Sequence, residues 1–469
     1  MPAAGLRGTG LALALVALVA SAVSARSGEP RQADPRPNIL LILTDDQSFD
    51  TFPSDPPAMP WLQARVFDRS DHWLWFPDAI DSTPLCCPSR TTILTGQYSD
   101  HTGVLNNSLG GVFDESSALP VWLHDAGYTT ALVGKYLNAF PFGRPPYVPS
   151  GWDRFVAKAN SSAATTYYGF PLFDQGLPMK TSDSPEEYAT DLLADEAVGF
   201  LRGAPDRPWF LEFAPSAPHS PITPAARYAG AFAGAQIDRE PSFDEPDVSD
   251  KPAWVRSLPS LAPAVRRELA FQREEESEAL LSVDDAVRRL MAEVAARGDL
   301  GRTIVFFLTD NGYSFGAHRW IGKQCPYEEC ICTPFAVRIP WVASRTVSGG
   351  VVSNVDLAPT IADFAGVTPA LAVDGTDLRP VIDPPSGTPP HALPRAAFIE
   401  YLGGEGGPNW IGVRTERFTY VEYPDGEREL YDLAGTLGPA DPGELDNRAR
   451  DPTYARIQDR LASLVQSLR

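Results

Sequence analysis

At 469 residues the chain is long enough for one large core, or for a large domain with a smaller companion. Hydrophobic residues make up 43% and charged residues 21%, an ordinary globular composition that excludes a wholly disordered chain. The net charge of −21, with no lysine/arginine cluster to offset it, excludes a nucleic-acid-binding surface.

Arg7 precedes the apolar run LALALVALVA (11–20) and the small residues SAVSA, the pattern of a secretory signal peptide cleaved near Ala25. The run is short for a bilayer span, and no later stretch reads as transmembrane. The mature chain is therefore expected to be secreted, periplasmic or extracellular, and not an integral membrane protein. Export permits disulfides, and a short-loop disulfide is expected within QCPYEECICTPF. The pairing among Cys87, Cys325, Cys330 and Cys332 stays open.

PNILLILTDDQ (37–47) is a continuous apolar run ended by carboxylates, the pattern of a strand buried on both faces. LPVWLHDAGYTTALVGKY predicts a helix stopped at Gly127 and a strand up to Gly134. WFLEFA is another buried run, and the segment 225–262, dense in Pro, Asp and Ala, reads as an irregular surface excursion. From about Arg266 to Arg297, Leu280, Val283, Val287, Leu290 and Val294 recur at helical spacing. RTIVFFLTDNG (302–312) then repeats the first strand's design, apolar run, threonine, carboxylate. This alternation predicts an α/β layered domain. The Pro-rich PPSGTPPHALP (384–394) reads as a linker or surface loop. AAFIEYL, WIGVRTERFTYVEY and ERELYDL follow as short antiparallel strands with a YPDG turn, and an amphipathic helix runs from about Pro452 to Leu468.

Asp45–Asp46 and Asp310–Asn311 end two buried strands, and α/β sheets place their ligands at the carboxyl ends of strands. Either pair alone serves as a cap or turn former. Together they repel unless a cation lies between them, and all-oxygen ligation favours calcium or magnesium over zinc or copper. The chain has five lysines in an arginine-rich background. Lys135 and Lys323 occupy a strand end and the segment after Asp310, where compact ammonium groups suit a tetrahedral oxyanion. His219 ends a third buried strand in a proline-flanked loop.

With these residues in view, CCPSRTTILTG, GYTTALVGKY, TDDQ and TDNG resemble the formylglycine-dependent sulfatases of the alkaline-phosphatase superfamily, closest in motifs to N-acetylglucosamine-6-sulfatase-like members. VVSNVDLAPTIADFAGV, VDGTDLRP, VRTERFTYVEY, ELYDL and GELDN extend the resemblance over most of the mature chain. The resemblance implies an alkaline-phosphatase-like, mostly parallel central sheet with helices on both faces, plus a smaller C-terminal antiparallel sheet with a terminal helix. It implies a signal peptide at 1–25, a catalytic domain at 37–383 and a C-terminal α+β subdomain at 395–469. By the same resemblance Cys86 is oxidised to formylglycine by a formylglycine-generating enzyme, with Pro88 and Arg90 completing its recognition motif. Asp45, Asp46, Asp310, Asn311 and the modified residue 86 would hold one Ca2+. Arg90, Lys135, His219 and Lys323 would surround the sulfate and the hydrated aldehyde, and His318 matches a histidine that precedes the second lysine in many relatives.

The implied chemistry is in-line attack on sulfur by one hydroxyl of the aldehyde hydrate, followed by expulsion of sulfate when the second hydroxyl loses its proton. Many sulfatases carry a histidine two residues after the lysine matching Lys135, and here Leu137 stands instead, which leaves the base for hydrate collapse open. The glucosamine-6-sulfatase-like subgroup also reads GKYLN, which supports a sulfated sugar or glycan substrate. The alternatives are a broad arylsulfatase, a phosphonate monoester or phosphodiester hydrolase of the same superfamily, and a calcium-dependent glycan-binding protein without catalysis.

Overall fold

The structure, a computed structural model, describes residues 1–2, 5, 34–140, 146–159, 167–235, 241–388, 390–394 and 396–469. The expected signal peptide and its cleavage near Ala25 lie outside the described residues. Among the described residues no helix is long and apolar enough to cross a membrane. Residues Pro35–Arg469 form one compact unit.

The elements that build the site are, in chain order, β1 (Asn38–Thr44), α1 (Cys86–Thr95), β2 (Thr129–Lys135), β3 (Arg154–Lys158), β4 (Trp209–Ala214), α2 (Pro263–Ala296) and β5 (Thr303–Thr309). The five strands run parallel in the order β5-β1-β4-β2-β3. Antiparallel strands continue the sheet at both edges, Phe335–Arg338 beside β5 and Leu172–Asp174 beside β3. The mostly parallel expectation is met. Every residue of β1, β2, β4 and β5 is buried, as the unbroken apolar runs predict.

Alternation along β1 divides the core. Ile39, Leu41 and Leu43 face the layer of helices that includes α1 and Leu357–Phe364, whereas Leu40 and Ile42 face α2 and Ala189–Gly203. All five apolar positions foreseen on α2 are buried in that second layer, and its N-terminus carries Pro263 where a missing N–H costs nothing. Register levels the strand ends: Thr44 lies opposite Thr309, Gly134 opposite Ala214, and Lys135 opposite Lys158. The residues that follow therefore emerge along one edge of the sheet.

The C-terminal part is a four-stranded antiparallel sheet, β6 (Ala396–Tyr401), β7 (Trp410–Thr415), β8 (Phe418–Glu422) and β9 (Arg428–Asp432), in sequential order. Phe398, Val413 and Tyr420 on one face receive Leu461 and Val465 of the terminal helix α3 (Ala455–Leu468). Ile399, Tyr401 and Val421 on the other face pack with Leu85 and Ile331, so this sheet buttresses the residue just before Cys86. One expectation needs correction. The described residues of the 225–262 segment, 225–235 and 241–262, are no mere surface excursion, since Ser242, Glu245, Val248, Lys251 and Val255 are buried. Its polar composition misleads because Glu245 and Lys251 enter the interior as an ion pair at 3.1 Å.

Glu276 on α2 is fully buried and accepts a hydrogen bond from the Ser48 N–H at 2.8 Å. Burial pushes its carboxyl up from 4.5 to about 7, only partly opposed by Arg273. A raised carboxyl favours folding below the unfolded value, and that contribution disappears as pH rises through the folded value, about 7. The swing is roughly 3 kcal/mol at about 1.4 kcal/mol per unit. Replacing Glu276 by Gln is expected to flatten the fall in unfolding free energy between pH 4.5 and 7, measured by urea titration at several pH values. An unchanged slope would refute the assignment.

Candidate active site

β1 ends at Thr44, and Asp45 and Asp46 turn out of the sheet, Asp46 with a left-handed φ of 62°. The adjacent β5 delivers Asp310, whose N–H donates to the Thr44 carbonyl at 3.1 Å and whose Oδ1 accepts from the Asp46 N–H at 3.1 Å. Asn311 follows and donates from Nδ2 to Asp46 Oδ1 at 2.7 Å. β2 brings Lys135, its Nζ 2.7 Å from the Asp45 carboxylate and 3.8 Å from Asp310. A close approach lets β2 do this: a Cβ on Gly134, whose φ is 134°, would lie 1.9 Å from the Ala214 carbonyl oxygen.

Helix α1 supplies the rest. It begins at Cys86 and ends at Gly96, which takes the left-handed conformation at φ 70° and donates its N–H to the Thr92 carbonyl at 2.8 Å. Asn354 donates to Ser89 Oγ at 2.9 Å and fixes the first turn. Cys86 Sγ lies 3.6 Å from Asp45 Oδ1 and 3.7 Å from Asp46 Oδ1. Arg90, one turn on, donates from Nε to Asp310 Oδ2 at 2.8 Å and from Nη1 to the Lys135 carbonyl at 3.0 Å. Lys323 closes the group from the loop after β5, its Nζ 2.5 Å from Asp46 Oδ1 and 2.7 Å from Cys86 Sγ. His219 enters after β4 with Nε2 3.5 Å from Asp46 Oδ2, and the Tyr167 hydroxyl donates to its carbonyl at 2.9 Å.

The electrostatics follow from this packing. Burial pushes Asp45 up, but Lys135, His219 and Arg90 outweigh it and hold the carboxyl at about 2. Burial also acts on Asp46, and Lys323 and His219 keep it below its usual range. Burial raises the Cys86 thiol to about 12 despite Lys135 and Lys323. Burial lowers His219, with Asp46 and Asp45 pulling the other way.

Asp45, Asp46, Cys86 and His219 each offer a ligand atom, all within 4.8 Å of one another. Asn311 Oδ1 is buried with no hydrogen-bond partner among the described residues. A divalent cation fits this oxygen-rich set, since it satisfies the stranded amide oxygen and neutralises adjacent carboxylates.

The structure thus gathers Asp45, Asp46, Cys86, Arg90, Lys135, His219, Asp310, Asn311 and Lys323. His318 goes elsewhere: it is buried against Glu245, Nδ1 to Oε2 2.7 Å, with its ring 4.0 Å from that of Tyr327. Leu137 lies in the core and offers no base. A residue the sequence reading passed over is Lys158, buried at the end of β3, with Nζ 3.1 Å from Ser216 Oγ. Burial lowers its pKa to about 8, with Asp45 opposing. Its only sequence signal is that it is one of five lysines; its place beside Lys135 comes from sheet register. The expected short-loop disulfide joins Cys325 to Cys330, with Cys86, Cys87 and Cys332 free.

The sulfatase family profile matches residues 37–367, and the N-sulphoglucosamine sulphohydrolase C-terminal profile matches residues 316–469. The chain belongs to the formylglycine-dependent sulfatase family. Family membership places it among the sulfuric ester hydrolases. Human N-acetylglucosamine-6-sulfatase is 32% identical over 74% of this chain and 64% of its own. The extracellular sulfatase SULF-1 homolog of Drosophila melanogaster is 31% identical over 74% of this chain, which spans only 31% of that protein. A structure solved in complex with its substrate D-glucosamine-2-N,6-O-disulfate is 25% identical with a TM-score of 0.75, covering 92% of this chain and 97% of its own. The phosphonate monoester hydrolase of Agrobacterium radiobacter shares the fold at a TM-score of 0.73 and 23% identity, covering 92% and 95%.

Arg90 and Asp310 form a buried pair, so removing one partner strands a charge. Arg90→Met is expected to cost about 3–5 kcal/mol of unfolding free energy, and adding Asp310→Asn should recover most of it. Urea denaturation of the single and double variants measures this; a single variant as stable as the parent refutes the pairing's importance.

Proposed function

We propose that this chain is an exported sulfatase that hydrolyses sulfate esters of sulfated sugars, glucosamine 6-sulfate above all, using formylglycine made from Cys86 and one calcium ion. The observation that carries the reading is the seat of Cys86: its sulfur lies within 3.7 Å of Asp45 and Asp46 and 2.7 Å from Lys323. A thiol held near 12 is a poor nucleophile at neutral pH, which fits a precursor rather than the working group. All ten residues of α1 are buried. A formylglycine-generating enzyme therefore meets this segment before the chain folds. Secretion with cleavage near Ala25, and a division into a catalytic domain at 37–383 and a C-terminal subdomain at 395–469, complete the proposal.

Asp45, Asp46, Asp310 and Asn311 would hold the calcium ion, which with formylglycine at residue 86 would supply an oxygen nucleophile of lowered pKa. The chain's own side chains do the rest. Arg90, Lys135 and Lys323 form a cationic wall that offsets charge on the sulfuryl oxygens. Their firm pairing with Asp310, Asp45 and Asp46 orients them before substrate arrives, so little reorganisation accompanies the reaction. Either His219 or Lys323 would give the leaving alcohol its proton.

The test is sulfate release by protein whose residue-86 peptide has the mass of formylglycine. Glucosamine 6-sulfate is expected to react faster than 4-nitrophenyl sulfate, and both faster than a phosphonate monoester; preferred phosphonate cleavage would overturn the reading. Cys86→Ser should lower kcat by about 10³-fold or more while leaving the fold intact by circular dichroism. An unmodified thiol at residue 86 in protein that releases no sulfate would point instead to glycan binding.

A further inference from the structure

Away from Cys86, a second group of metal-ligating side chains lies between the Lys323 loop and the C-terminal segment. A nitrogen of His318 and one oxygen each of Glu329 and Glu444 lie within 4.8 Å of one another. His318 is wholly buried and Glu444 nearly so. Three of their atoms, His318 Nε2, Glu329 Oε2 and Glu444 Oε1, are buried with no hydrogen-bond partner among the described residues.

The other atoms of these side chains are engaged in ways that aim the free ones. His318 Nδ1 meets Glu245 Oε2 at 2.7 Å, and Glu245 is itself paired with Lys251 at 3.1 Å. A carboxylate on Nδ1 puts the ring proton there and leaves the Nε2 lone pair as an acceptor. Glu329 Oε1 accepts from Ser242 Oγ at 2.6 Å, and Glu444 Oε2 accepts from the Glu328 N–H at 2.9 Å. The Thr419 hydroxyl also lies beside Glu444. An acceptor nitrogen thus faces two carboxylates, and like ends repel. A proton shared between Nε2 and either carboxylate would leave a hydrogen bond, and none is formed among the described residues. A single cation at about 2 Å from each donor resolves the repulsion.

We propose that His318, Glu329 and Glu444 form a second metal site, for a divalent cation of the zinc class. One imidazole and two carboxylates suit zinc or a neighbouring transition metal better than calcium, which prefers oxygen alone. The Glu245 carboxylate on the far ring nitrogen is the outer partner that metal-bound histidines ordinarily have. Glu329 also lines, with Ala317, Pro442 and Gly443, a neighbouring cavity of about 590 Å³. Two ligands, His318 and Glu329, bracket Lys323 in sequence, and the third belongs to the turn after β9. The ion therefore fastens the loop that carries Lys323 to the C-terminal part, alongside the Cys325–Cys330 disulfide.

Metal content distinguishes this site from the first. Full-length protein, stripped with chelator and dialysed against excess calcium chloride with micromolar zinc chloride, is analysed for both elements. We expect one zinc per chain, an X-ray absorption spectrum with nitrogen and oxygen but no sulfur donors, and a rise in Tm of a few degrees on adding zinc. The Glu329→Gln/Glu444→Gln variant should lose the zinc and the Tm rise and keep its calcium. Absence of zinc from the parent overturns the proposal without need of any variant. So does zinc with sulfur ligation, or zinc retained by the double variant.

Discussion

The structure depends on a charge balance that must be struck inside the protein. Asp45, Asp46 and Asp310 leave neighbouring strands at the same level, and all three are buried. Three carboxylates this close cannot share a low-dielectric site without compensation. Lys135 answers Asp45, Arg90 answers Asp310 and Lys323 answers Asp46, each within 2.8 Å. These cations come from β2, α1 and the loop after β5, so the balance forms only when sheet, helix and loop are all assembled. Each carboxylate thus has one fixed cation beside it, and each cation is held in place by that pairing.

This balance explains what could be read from the sequence. The strands that deliver Asp45, Asp310 and His219 were legible because burial on both faces leaves an unbroken apolar run, and the polar residue ending it marks the crevice. Arg90 and Cys86 were legible through one short motif whose roles came from resemblance, not from spacing. Lys158 was not, because only sheet register sets it opposite Lys135. Resemblance matches His318 to a histidine that precedes the second lysine, and it stands five residues before Lys323 in the sequence. His318, at a left-handed φ of 51°, turns to Glu245 instead, and the chain returns through antiparallel pairing of Ser314–Phe315 with Ile321–Gly322 before Lys323. The burial of the 225–262 segment is not legible because part of it is polar and non-periodic: Lys251 donates to the Leu445 carbonyl at 2.6 Å, a partner that periodicity does not reveal.

The doubled cysteine shows how finely position divides chemistry. Cys86 and Cys87 are successive residues of one helix, so their side chains leave it about 100° apart. Both are fully buried, and burial raises both thiols to about 12. Yet Cys86 meets Lys323 and two carboxylates, whereas Cys87 turns to the core and approaches the Asn138 carbonyl at 3.7 Å. Gly110 packs over it so closely that a Cβ there would lie 2.9 Å from its sulfur. The Cys87 N–H, unpaired within the helix's first turn, donates to Asn107 Oδ1 at 2.9 Å. Cys87 thus packs against Asn138 and Gly110, while Asn107 satisfies its N–H at the start of the helix. Equal burial makes the two sulfurs equally reluctant to ionise, so thiolate chemistry would not choose between them. What distinguishes Cys86 is the ring of fixed charges around it, Lys323, Asp45 and Asp46, none of which Cys87 meets in a hydrogen bond.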